Sequence, residues 1–225
     1  MTTHFVNLLE GLRRRAAGMA SLVEDMVQEA CESVIDVNEA LAGRVIARDN
    51  DVDTEEVVVE SEVIRLMALY QPVGSDLRLL CAVLKINNDL ERIADCAVNV
   101  AERARHMERG SLARHRETIS EMATLVRSML RNAVRSFAVE DVEMARKAFA
   151  EDEHVDALYE QTIKRIVAEG ATSSEGMAAR LDVLSVAKNL ERIADHATNI
   201  AEDVIFLSTG EIVRHGEGGP RTNRG

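Results

Sequence analysis

The sequence predicts an all-α protein, with six helices arranged as two tandem, pseudo-symmetric three-helix bundles. Three observations lead there. Breakers are rare, with two prolines and twelve glycines among 225 residues of which 46% are hydrophobic and 3% aromatic, a balance that favours long helices over sheets. Apolar residues recur at helical spacing, as in Val45, Val52, Val59, Val63 and Leu66, which is the signature of a helix with one buried face. Finally, "NNDLERIADCAVNVAE", which starts at Asn87, returns as "AKNLERIADHATNIAE", which starts at Ala187.

The first helix is expected over about 4–33 and the second over about 36–70. "EEVVVESEVI" in the second is rich in β-branched residues, but its neighbours keep a helical period on both sides. In "YQPVGSD", Pro72 and Gly74 end that helix and Ser75 or Asp76 can cap the third, which runs to about residue 109 at "RGS". A fourth helix over about 112–137, a fifth over about 140–169 and, after "EGATSSEG", a sixth over about 177–208 complete the chain. The duplicated phrase falls on the third and sixth helices. Short connections between long helices make neighbours antiparallel, so the expected units are two bundles, at about residues 1–110 and 111–210. Residues 211–225, which include the glycine-rich "GEGGPRTNRG", form an expected flexible tail.

A net charge of −12 leaves no basic surplus for phosphates, so nucleic acid is not an expected partner. Cys31, Cys81 and Cys96 are odd in number and scattered through helical patterns, and read as small buried side chains in a reducing compartment. The chain becomes charged at once in "MTTHFVNLLEGLRRR", unlike a secretory leader. Its most apolar stretch, "LRLLCAVLKI", is too short to span a bilayer. A cytoplasmic protein is expected, touching the membrane only indirectly through partners.

The duplicated phrase separates into two faces. With Ile93 at zero and 100° per residue, Ile86, Leu90, Ala97 and Val100 fall within about 60° of it, while Glu91, Asp95 and Glu102 fall within about 20° of the opposite pole. The sixth helix repeats this with Ile193, Leu190, Ala197 and Ile200 inward and Glu191, Asp195 and Glu202 outward. Acids on the back of a core helix are ordinarily a solvated face. Two features count against that here. A solvated face usually mixes signs, whereas Glu91 with Asp95, and Glu191 with Asp195, set like charges one turn apart, which costs a few tenths of a kcal/mol. The preceding helix of each half also carries such a pair, Asp49 with Asp53 and Asp152 with Asp156. On antiparallel helices four carboxylates can then converge in each bundle, and oxygen ligands of this kind suit Mg²⁺, Mn²⁺ or iron. The neighbouring Glu151-x-x-His154 matches a di-iron ligand pair, but the first half has no histidine there, so an oxidase-like site is not expected. His196 has Cys96 as its counterpart in the repeat and reads as a structural residue, and His106 as an optional ligand. No phosphate loop, nucleophile elbow or Cys-x-x-Cys motif is present, so no catalytic residue is assigned.

"YQPVGSDLRLLCAVLKINNDLERIADCAVNVAE" and "LDVLSVAKNLERIADHATNIAEDVIFLSTGEIVRH" resemble the two signature segments of the PhoU family of bacterial phosphate-responsive regulators. The resemblance implies two similar three-helix bundles and paired Glu/Asp-x-x-x-Asp motifs that hold multinuclear metal clusters, of iron or zinc in some members. Carried onto this chain, the metal ligands would be Asp49, Asp53, Glu91 and Asp95 in the first half and Asp152, Asp156, Glu191 and Asp195 in the second. It further implies a homodimer and a non-enzymatic negative regulator of phosphate uptake and of the starvation response. Such a regulator links the ATPase subunit of the Pst phosphate ABC transporter to the Pho sensor histidine kinase. The alternatives are a similar adaptor serving another anion transporter, or a carboxylate-bridged metalloenzyme.

Overall fold

The computed structural model describes residues 3–107, 110, 112–170 and 174–213. Six helices account for almost all of them: α1 (Thr3–Asp36), α2 (Glu39–Tyr70), α3 (Ser75–His106), α4 (Arg116–Val139), α5 (Val142–Glu169) and α6 (Ser174–Thr209). No strand occurs among the described residues, and the valine-rich stretch of α2 is helical, with Val59 and Val63 buried and Val57 and Val58 exposed. No described helix is long and apolar enough to cross a membrane. Most of the expected tail, residues 214–225, lies outside the described residues.

Several helix ends lie a few residues from expectation, and at three of the junctions the reason is local. Gly74, at φ 60 and ψ −128, occupies the cap position of α3 and offers no side-chain cap. Ser75 is therefore the first helical residue, and Asp76 faces the helix dipole in the first turn. Residues 112–115 form tight turns, Ala113 N donating to Gly110 O and His115 N to Leu112 O, so α4 starts at Arg116. Leu112 is buried nonetheless, which is why its apolar position reads as helix in the sequence. Glu140 does not begin α5 but ends α4 in the left-handed region, at φ 54.

The joint between the first and second helix of each half is duplicated. After α1, Val37 adopts φ 50 and Asn38 N donates to Ser33 O at 2.8 Å; after α4, Glu140 adopts φ 54 and Asp141 N donates to Ser136 O at 3.1 Å. Both are left-handed helix ends closed by a six-to-one bond. The residue after each bend caps the next helix: Asn38 Oδ1 accepts from Ala40 N and Leu41 N, and Asp141 Oδ1 from Met144 N. Ser33 and Ser136 are both buried and both donate to the carbonyl three residues back.

α1, α2 and α3 pack on one another, as do α4, α5 and α6, and the two sets join through α3 against α6 and α1 against α4. The apolar stripe of the duplicated phrase is buried in both copies: Ile86, Leu90, Ile93, Ala97 and Val100 in α3, and Leu190, Ile193, Ala197 and Ile200 in α6. Lys85 pairs with Asp203, Asp89 with His196 and Arg103 with Asp182. As the α3 number climbs the α6 number falls, so the two helices run antiparallel. Cys31 and Cys96 are buried as expected and their thiols are pushed up to about 12 and about 11, chiefly by burial. Cys81 is only half-buried.

Candidate functional site

The duplicated acids are only partly withdrawn from solvent: Glu91, Asp95 and Glu191 are half-buried, while Asp195 is exposed. α2 lies along the flank of α3 that carries Glu91 and Asp95, and α5 does the same for α6. Glu91 is half-buried, and its carboxyl is raised by desolvation first, then by Asp95, Glu56 and Asp53, against the lowering effect of Arg92. Asp49 is raised by desolvation, then by Asp53, Asp95 and Glu102. The four first-half residues Asp49, Asp53, Glu91 and Asp95 therefore share one electrostatic neighbourhood between α2 and α3. In the second half Asp195 is pushed up to about 6, by desolvation first and then by Glu191, Asp152 and Asp156, with Lys188 acting the other way. Asp152 is buried at 8% exposure, while Asp156 and Asp195 keep exposed edges.

Like charge at this density needs an offset, and each cluster has found a cation on its own helix. Arg92 bridges Glu91 at 3.4 Å and Asp95 at 3.6 Å. Lys188 Nζ donates to Glu191 Oε2 at 2.5 Å and sits 5.3 Å from the ring centre of Tyr159. Among the described residues no three carboxylate, imidazole or thiol side chains gather tightly enough to hold a metal ion as they stand. The donor set does fit one chemically, because four neighbouring carboxylates, whose charge helps to raise Asp49 and Glu91 in one half and Asp195 in the other, form an anionic platform for a hard or borderline cation.

The competing pair separates: Glu151 accepts from Ser128 Oγ at 3.1 Å, and His154 lies 3.3 Å from Glu121. His106 is exposed at the end of α3. His196 is held by Asp89, its Nδ1 2.8 Å from Asp89 Oδ1, where Asn199 Nδ2 also donates at 3.3 Å.

Sequence reasoning missed the acids on the other side of α3. Asp89 lies only about 40° from Ile93 on the helical wheel, inside the apolar stripe, yet is buried at 7% exposure against α6. Asp203 is buried at 5% and paired with Lys85. The available signal was an acid within an apolar arc, with a lysine one turn before it.

With this geometry in view, the comparisons with known proteins become specific. The sequence model of the PhoU domain matches residues 17–104 and again residues 119–204, once in each bundle. The chain belongs to the PhoU family. Among its relatives, the phosphate-specific transport system accessory protein PhoU homolog of Aquifex aeolicus is 37% identical over 207 residues, covering 92% of this chain and 94% of the relative. The corresponding homolog of Pseudomonas aeruginosa is 35% identical over 208 residues, covering 92% and 86%. The crystal structure of PhoU from Pseudomonas aeruginosa superposes with a TM-score of 0.88 at 34% identity, covering 92% of this chain and 99% of that one. The phosphate transport system regulatory protein PhoU from Streptococcus pneumoniae gives 0.85 at 27% identity, covering 94% and 100%.

Proposed function

We propose that this PhoU-family chain is an accessory regulator of phosphate transport. It acts in the cytoplasm as a negative regulator of phosphate uptake and of the phosphate-starvation response. In this reading it is an adaptor rather than an enzyme, touching the ATPase subunit of a phosphate ABC transporter on one side and a sensor histidine kinase on the other. The supporting observation is the double PhoU-domain match, which spans both bundles, alongside relatives that carry phosphate-transport accessory names over 92% of the chain. Deleting the gene should derepress both phosphate uptake and starvation-responsive genes in phosphate-rich medium. Unchanged expression of both would remove the proposal.

The carboxylate clusters enter it as metal platforms. Asp49, Asp53, Glu91 and Asp95 would hold one multinuclear cluster, and Asp152, Asp156, Glu191 and Asp195 the other, with iron or zinc as the first candidates and magnesium or manganese next. The metal would supply positive charge that ties α2 to α3 and α5 to α6. Arg92 and Lys188 now serve part of that purpose, so they would have to give up Glu91, Asp95 and Glu191 to an incoming ion.

A further inference from the structure

Between α2, α3 and α6 lies a cleft of about 410 Å³, within the size range of small-molecule sites. Its rim carries Glu60, Asn88 and Asn199, all exposed, while its floor is buried and polar: Asn87 at 2% exposure, Asp89 at 7% and Asp203 at 5%. Counting Glu56 and Glu202, the lining holds five carboxylates against one ammonium, that of Lys85.

Two features set this cleft apart from a solvated acidic surface. Asn87 Nδ2 donates to Glu56 O at 3.0 Å, which fixes the amide and leaves Oδ1 as a buried acceptor with no partner. A buried acceptor without a donor is costly, of the order of 1–3 kcal/mol, and rare in folded proteins. In addition, Lys85 Nζ already rests on Asp203 at 2.5 Å and 5.9 Å from the ring centre of Phe206. The wall thus holds one alkylammonium from its own chain. Because no three acidic or other metal-ligating side chains among the described residues gather about a single point, the spread acceptors suit a ligand whose N–H donors are several ångströms apart.

We propose that this cleft binds a small organic cation bearing primary ammonium or guanidinium groups, with its donors shared between Asn87 Oδ1 and the carboxylates of the floor and rim. The source is either a free polyamine or the basic side chain of a partner protein, since both present the same chemistry. The site is independent of the phosphate-transport reading.

Calorimetric titration of the full chain at fixed ionic strength tests it, with spermidine in one arm and N-acetyl-arginine amide in the other. One saturable site per chain is expected for at least one probe. Spermidine alone would indicate a free polyamine, and the arginine probe alone a partner's side chain. Asn87→Leu, which leaves the charge unchanged, should weaken binding about tenfold, as expected for a lost buried acceptor. The rim pair Glu60→Gln with Glu202→Gln should weaken it at least as much and serves alone if Asn87→Leu fails to fold. Glu117→Gln with Glu153→Gln, removing equal charge on α4 and α5, should leave it unchanged. Absence of saturable binding for both probes would overturn the proposal. So would equal weakening by the remote pair, or displacement by magnesium at matched ionic strength.

Discussion

Lys85 on α3 and Asp203 on α6 meet at 2.5 Å across the junction of the two bundles, with the lysine side chain 62% exposed and the aspartate 7%. The asymmetry determines what each partner is worth. Lys85→Met leaves a charge buried without its cation and should cost about 1–2 kcal/mol, the lower part of the range for charged hydrogen bonds because the lysine is screened by solvent. Asp203→Asn removes the buried charge itself and should leave stability unchanged or raise it. Denaturant unfolding of both variants at pH 7 gives the order.

The same aspartate sets a pH dependence. Burial pushes Asp203 up to about 6 from 3.8, with Asp89 and Glu202 adding to the effect and Lys85 opposing it. Between these values the folded state holds the proton that the unfolded state has lost, so this contribution to stability is complete below pH 4 and is lost as pH rises to 6. A shift of this size corresponds to about 3 kcal/mol. The thermal midpoint of Asp203→Asn should therefore fall less across pH 4 to 6 than that of the parent chain.

At the carboxylate clusters, Glu91→Ala with Asp95→Ala should lower the metal content per chain, measured by elemental analysis of protein purified without chelator. Unchanged stoichiometry would return these residues to the role of a charged surface. Asp195→Asn should raise the thermal midpoint of metal-free protein, since it removes repulsion from Glu191, Asp152 and Asp156, and should shrink the rise caused by added metal. In the parent chain that rise should weaken below pH 6, where Asp195 takes up a proton.

Val37 is β-branched and held at φ 50, a conformation that costs non-glycine residues about 1–2 kcal/mol. Val37→Gly should stabilise the chain by about 1 kcal/mol after the lost side-chain contacts are counted, raising the thermal midpoint by about 2–4 °C. Glu140→Gly relieves the same bend but gives up the ion pair with Arg13, so its gain should be smaller.

His196→Ala should cost about 1–3 kcal/mol, because among the described residues Asp89 then keeps Asn199 alone as a donor. Adding Asp89→Asn should recover most of the loss. A double-mutant cycle in denaturant measures the coupling directly.

Most of the helical architecture was legible because each helix carries a long apolar stripe and each break carries its own chemistry, as at Pro72 and Gly74. The expected grouping of Asp49 and Asp53 on α2 with Glu91 and Asp95 on α3 rests on i, i+4 spacing alone, and the structure sets them in one electrostatic neighbourhood rather than about a single point. What escaped depends on a third neighbour. A single periodic stripe reports one buried face, but α3 is packed by α1, α2 and α6, so Asp89 and Lys85 meet a partner that local sequence does not announce. The start of α4 was hidden by Leu112, which is buried in a turn. Val37 escaped because nothing in its chemistry marks a left-handed bend.

The antiparallel meeting of α3 with α6 sets one copy of the duplicated phrase against the other, as two identical subunits would meet about a twofold axis. In a true dimer every substitution appears on both flanks of that axis. Within one polypeptide it appears once. The flank with Asp89 and His196 bears an acid and a base, while the equivalent positions on the other hold Asn189 and Cys96, neutral in ordinary conditions. One polypeptide thus gives a pseudo-symmetric scaffold a left and a right side of different chemistry, carboxylate and imidazole on one, amide and thiol on the other.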